Sequence, residues 1–172
     1  MQCVQNACGE PDAVGCRQES RWEEGDLLLQ ISLGCFLMVV TTFVHAAGMV
    51  LSLGALRLVH VERWVRKNAL TRAGMVSVLV LLMFLVTFVE SLIWAVVYVE
   101  VGALPTLDEA LYFSAVTYTT VGYGDLVLEG AWRHLGGFEA ANGMIMFGWT
   151  AALIFAVVQR VYFVPHSFER RS

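Results

Sequence analysis

Three stretches of this chain are too long and too apolar to sit comfortably inside a small soluble domain. They run from about Leu27 to Leu58, from about Ala73 to Val101, and from about Leu135 to Phe163. Crossing the hydrocarbon of a bilayer takes ~20 helical residues, and each stretch exceeds that. The first is long enough to tilt or to project past the lipid. Composition agrees, since only 15% of the 172 residues are charged and 58% are hydrophobic, against about 25% charged in soluble domains. Lipid offers no partner to backbone N–H and C=O groups, so helices that bond internally are the expected answer. The fold class that follows is an all-α membrane protein with three transmembrane helices. A net charge of −4 without a long basic run gives nucleic acid no surface to bind. The opening Met1-Gln2-Cys3-Val4-Gln5 lacks the basic start and apolar core of a secretory leader, so none is expected.

The segment from Gly102 to Gly136 is different. It holds Pro105, an amphipathic run too short to span, and then a cluster of Thr and Gly. Such a segment is expected to enter the membrane shielded by protein and leave on the same side. Thr106-Leu107-Asp108-Glu109 has the form of a capping box, with Thr106 as N-cap and Glu109 three residues on. Acidic residues in that first turn suit the positive end of a helix dipole. The short helix is expected over 106–118, turning directly into the segment 119–125. The organisation expected is a tail over 1–26, a first span over 27–58 and a basic linker over 59–72. A unit from 73 to 163 follows, with its last span starting at about 135, and then a short tail over 164–172.

Charge asymmetry orients these parts. Arg57, Arg63, Arg66, Lys67 and Arg72 crowd the first linker, and Arg160, Arg170 and Arg171 lie at or beyond the end of the third span. By the positive-inside rule both places are cytoplasmic. Three crossings then put the N-terminus and the re-entrant segment outside, and the C-terminus in the cytoplasm. The outer parts carry eleven acidic residues, from Glu10 to Glu129, against Arg17, Arg21 and Arg133. A face so negative concentrates cations, although acidic residues also simply avoid the cytoplasmic side. Charge sign does not separate the two.

Thr119-Thr120-Val121-Gly122-Tyr123-Gly124-Asp125 carries the most chemistry. A dehydrated cation needs a cage of oxygens, and backbone carbonyls supply one only if successive carbonyls face one axis. In an ordinary strand they alternate, so every second residue must become left-handed, which Gly tolerates without a Cβ penalty. Gly122 and Gly124 occupy such alternate positions, and Thr120 can add a hydroxyl below the carbonyls. The preceding helix would aim its negative C-terminal end at the same path.

At these residues the chain resembles the pore-loop potassium channel superfamily, most of all its small bacterial members, over roughly Ala73 to Phe163. Ala110-Leu111-Tyr112-Phe113-Ser114 and Thr117 through Asp125 are the most specific part. Thr-Val-Gly-Tyr-Gly is the established filter sequence of potassium channels, a known case that Thr120 through Gly124 match residue for residue. The resemblance implies a potassium-selective channel, not an enzyme, built as a homotetramer in which each chain supplies a quarter of the filter. Potassium is then the permeant ion, held by the carbonyls of Thr120, Val121, Gly122 and Tyr123 and by the Thr120 hydroxyl, and no cofactor is expected. Gly124 completes the filter, and Thr119, Asp125 and Tyr112 support it, the Tyr112 hydroxyl bonding to Asp125. The ring of Tyr123 points away from the pore. A bacterial inner membrane is the expected location. Two departures stand out: Val116 occupies a position where some members hold a Glu behind the filter, and the Pro often found after the Asp is replaced by Leu126-Val127-Leu128-Glu129. Gating and inactivation therefore do not carry over.

Glu90 and Glu139 lie within spanning stretches, where a carboxylate is costly and must face protein, water or a partner. Both are candidates for gating or proton sensing, with Glu139 as a stand-in for the missing carboxyl behind the filter, or both tie helices together with Asn142 and His45 as partners. Gly143 is a candidate gating hinge or a site of close packing. If it is the hinge, Met144, Phe147, Ala151, Phe155 and Gln159 share the pore-lining stripe, and Phe155 is the candidate dewetting gate. Gly148 is likewise a hinge candidate, or packs closely through a small-xxx-small pair with Ala152. Arg57, His60, Arg63 and Arg66 recur at every third residue as in a voltage sensor. The run is short and broken by Glu62, so an interfacial amphipathic helix anchored by Trp64 is the preferred reading. Cys3, Cys8 and Cys16 fall in the expected external tail, where at least one disulfide is expected, and Cys35 is expected to serve packing.

Two other classes compete. Ion-conducting subunits of active transporters carry four imperfect loops in one long chain, whereas this chain has one. A membrane enzyme would need a site such as HExxH or a nucleophile elbow, and neither occurs. The chain after Phe163 is too short for a nucleotide- or calcium-sensing domain, so any such sensor is expected on a separate protein.

Overall fold

A computed structural model describes residues 13–58 and 68–162, with the side chains of the first helix described from Leu27 to Leu56 and that of Ala131 left out. Among the described residues four α-helices follow one another: α1 (Ala13–Leu58), α2 (Ala69–Glu100), α3 (Leu107–Tyr118) and α4 (Leu135–Tyr162), with a short 3₁₀ turn at Gly130–Trp132. Leu27–Leu56 of α1, α2 and α4 are each long and apolar enough to cross a membrane. Among the described residues there is no strand.

The helix ends differ from the sequence boundaries for local reasons. α1 starts at Ala13, inside the stretch read as a tail over 1–26. Arg17, Gln18, Glu19, Arg21, Glu23 and Glu24 are all good helix formers, so nothing stops the helix at the edge of the apolar run. At ~1.5 Å per residue it is far longer than a bilayer is thick. α2 starts four residues before Ala73, with the Asn68 carbonyl accepting from Thr71 N (3.1 Å) and Arg72 N (3.4 Å). Its other end closes in a Schellman motif, where Gly102 (φ +69°) donates to Val99 O and Ala103 N donates to Tyr98 O (2.9 Å). Glycine takes that left-handed position without strain, and Pro105 then prevents the helix from resuming. Cys3, Cys8, the side chains of Cys16 and Arg57, the rest of the basic linker with His60, Arg63, Trp64 and Arg66, and the C-terminal Arg170 and Arg171 lie outside the described residues. Cys35 is exposed on α1 and does not pack into the core.

The core gathers where α3 meets the other helices. Trp94, Ala95 and Tyr98 of α2, Ala110, Phe113 and Tyr118 of α3, and Leu135 and Met146 of α4 are buried together with Leu37 of α1. Tyr98 meets Phe113 edge to face at 5.3 Å and 82°, the preferred aromatic geometry. Gly34 and Gly48 let α1 approach closely, since an added Cβ would lie 2.8 Å from Phe138 and 2.5 Å from Val86. The outer faces of α1 and α2 remain apolar and exposed, with Phe36, Phe43, Val50, Leu81, Phe84 and Leu85 all uncovered. That arrangement suits a lipid solvent.

Candidate functional site

The site is built outward from α3. Thr106 caps its start, accepting from Glu109 N at 3.3 Å, and Asp108 and Glu109 occupy the first turn. At the other end the free carbonyls turn back on the following segment. Val116 O accepts from both Val121 N (3.0 Å) and Gly122 N (3.2 Å), and Thr117 O accepts from Thr120 N (2.9 Å). The negative end of the helix therefore faces the segment 119–125.

Within that segment every second residue is left-handed: Thr120 at φ +60°, Gly122 at +54° and Gly124 at +76°. Thr120 is the only described non-glycine residue with positive φ, a conformation that bulky residues adopt rarely and at functional sites. The two glycines are where the alternation required them; nothing in the residue type of Thr120 signalled its conformation. Added Cβ atoms at Gly122 and Gly124 would meet nothing within 4 Å, so backbone conformation and not space calls for glycine. Val121 and Tyr123 are 52% and 73% exposed, leaving an apolar face that this chain alone does not cover. No group of three His, Cys, Asp or Glu among the described residues is placed to hold a metal ion. The donors on offer for a cation are carbonyl oxygens and the Thr120 hydroxyl.

At the front, the Tyr112 hydroxyl donates to Asp125 Oδ2 at 2.6 Å. That bond holds the Asp125 carboxyl below its ordinary range, and it pushes the Tyr112 hydroxyl up in turn. At the rear, two fully buried carboxyls grip α3 at different heights. Glu139 of α4 accepts from the Tyr98 hydroxyl (2.6 Å) and contacts the Ser114 hydroxyl, which also lies 2.7 Å from Ser91 O. Ser114 has one hydrogen and two acceptors, so a proton on Glu139 donated to Ser114 Oγ satisfies every atom. Glu90 of α2 accepts from the Tyr118 hydroxyl (2.7 Å) and from His45 Nδ1 of α1 (3.0 Å).

These placements sort the residues singled out by sequence. His45 is the partner of Glu90, in keeping with the helix-tying role. Asn142 partners neither glutamate; its amide donates to Thr41 Oγ1 at 2.7 Å. Glu139 reaches the middle of α3, whereas Glu90 reaches the residue just before the segment 119–125. Gly143 is buried, and a Cβ there would collide with the carbonyl of Tyr118, so its missing side chain seats the end of α3. Gly148 meets nothing within 4 Å. Met144, Phe147, Ala151, Phe155 and Gln159 are all exposed on α4. Sequence reasoning assigned no role to Tyr98, Ser114 and Tyr118. Their signal was present: each is a hydroxyl in an apolar stretch that also holds, or faces, an unexplained carboxyl.

A family model described as an ion channel matches residues 74–160, just over half of the chain. The chain therefore belongs to the pore-loop, potassium-channel-like family of ion channels. No curated protein and no solved structure matches it.

Proposed function

We propose that this ion channel is a potassium-selective pore subunit that works as a homotetramer, with α3 as the pore helix and 119–125 as one quarter of the filter. The observation that carries the reading is the alternation of left-handed residues at Thr120, Gly122 and Gly124. Alternating left-handed residues allow the carbonyls of Thr120, Val121, Gly122 and Tyr123 to face one side, where four such rows can replace the hydration shell of a potassium ion. Several equivalent sites in a row let an ion bind and yet leave, pushed by the next. The negative end of α3 favours a cation at the inner end of that row. Exposed Val121 and Tyr123 on the loop, and exposed Met144, Phe147 and Phe155 on α4, supply the faces that neighbouring copies cover or that line the pore. On that stripe Phe155 is the dewetting gate, while Gly143 seats the end of α3 closely against α4.

The loop belongs on the outside, with the N-terminus, and the C-terminus in the cytoplasm of a bacterial inner membrane. The Lys/Arg asymmetry supports that orientation. The test is electrical. Purified protein in a planar bilayer with mixed potassium and sodium should give a reversal potential near that for potassium, and equal permeabilities would overturn the reading. Cross-linking should stop at four chains.

A further inference from the structure

α1 lies outside the residues matched by the family model, yet it supplies one side chain to the buried network that ends at the foot of the candidate filter. His45 is fully buried, and both ring nitrogens are engaged. Nδ1 lies 3.0 Å from Glu90 Oε1, and Nε2 lies 3.1 Å from Thr150 Oγ1 of α4. The ring stacks on Trp149 at a centroid distance of 5.8 Å. Rotating it would break two hydrogen bonds and a ring contact together. Glu90 is equally committed, since its second oxygen takes the hydrogen of the Tyr118 hydroxyl. Tyr118 is the last residue of α3 and immediately precedes Thr119 and Thr120. Its carbonyl rests on Gly143. One chain of contacts thus runs from α4 through α1 and α2 to the foot of the loop.

Stability alone does not account for such a set. Apolar residues of similar volume would hold the helices together as well or better, because buried charged and polar groups regain at best what they lose on leaving water. A fully satisfied buried network instead specifies one arrangement. We propose that His45 and Glu90 are positioning residues for the filter: through the Tyr118 hydroxyl they hold the end of the pore helix, so the added first helix controls conduction. The proposal rests on the reading of 119–125 as a potassium filter.

The experiment compares full-length protein and its variants in planar bilayers, reading the potassium-to-sodium permeability ratio and the length of open bursts, alongside tetramer assembly and melting temperature. Tyr118→Phe removes one oxygen and should assemble normally while shortening bursts about tenfold, as expected for one buried hydrogen bond lost at the foot of the loop. His45→Leu should do the same from a different helix. His45→Gln, which keeps an N–H for Glu90, should recover most of the burst length. Tyr118→Phe combined with His45→Leu should be no worse than either alone, since both break one unit. Wild-type burst length and permeability ratio in Tyr118→Phe or His45→Leu, with only the melting temperature moved, would overturn the proposal. Failure of either variant to assemble overturns it too, because the contact is then structural. A wild-type protein without potassium selectivity fails the filter reading instead, which is a separate result.

Discussion

The front and the rear of α3 carry the same bond in opposite surroundings. At the front the Tyr112 hydroxyl gives its hydrogen to Asp125 at 2.6 Å, on residues exposed in the single chain. At the rear the Tyr118 hydroxyl gives its hydrogen to Glu90 at 2.7 Å, beneath complete burial of the carboxyl. Water and salt screen the first and can replace either partner. Neither can reach the second, so removing one partner strands the other. The front bond is therefore suited to adjusting the loop, and the rear bond to holding it.

That contrast can be broken most directly at Gly143. Gly143→Ala places a methyl into the carbonyl of Tyr118, so the rear seat cannot form. Overpacking of this kind costs about 1–3 kcal/mol per chain, repeated in each subunit. For the proposed tetramer, the expected outcome is loss of assembly on size exclusion and native gels. If the tetramer survives with normal conduction, the rear is not the rigid side.

Glu90→Leu comes next. It leaves the His45 ring N–H and the Tyr118 hydroxyl buried without an acceptor, a penalty of about 3 kcal/mol per chain. A large drop in tetramer melting temperature is expected, whereas Asp125→Leu at the front should move it little. Equal drops would erase the distinction.

Glu139→Gln should be mild by comparison. The amide can donate to Ser114 and accept from Tyr98, reproducing the bonds of a protonated carboxyl. The tetramer should assemble and melt as wild type, while any dependence of open probability on external pH should flatten. An unchanged pH response, or a tetramer that fails to form, would make this carboxyl structural.

The smallest effect belongs to Asp125, and its sign follows from the hydrogen bond. Its folded carboxyl is held below the ordinary value of 3.8, so the bond contributes fully above that pH. The contribution is lost only as pH falls further, through the folded value. Acidifying the solution on the loop side from about pH 7 to pH 5 should thus leave the front bond intact. Asp125→Asn should preserve whatever pH response the wild type shows in that range, and its disappearance in this variant would move the sensor from rear to front.

Much of this protein was legible in the amino-acid order because the signals are local. Helical spans follow from runs of apolar residues in a solvent that bonds to no backbone. The cap at Thr106 and Glu109 follows from spacing, and left-handed glycines follow from the absence of a Cβ. The pairing of the two buried carboxyls was a different matter. Glu90, Glu139, His45 and Asn142 stand out along the chain as polar residues in apolar helices, but which meets which depends on the rotation and depth of four packed helices. Only the tertiary structure put His45 against Glu90, sent Asn142 to Thr41, and brought Ser114 and Tyr98 to Glu139. It also placed Glu90, and not Glu139, next to the foot of the loop. A turn of helix carries a side chain about 5.4 Å along the axis and right around it, so spacing along a chain says which residues share a face and nothing about the face opposite.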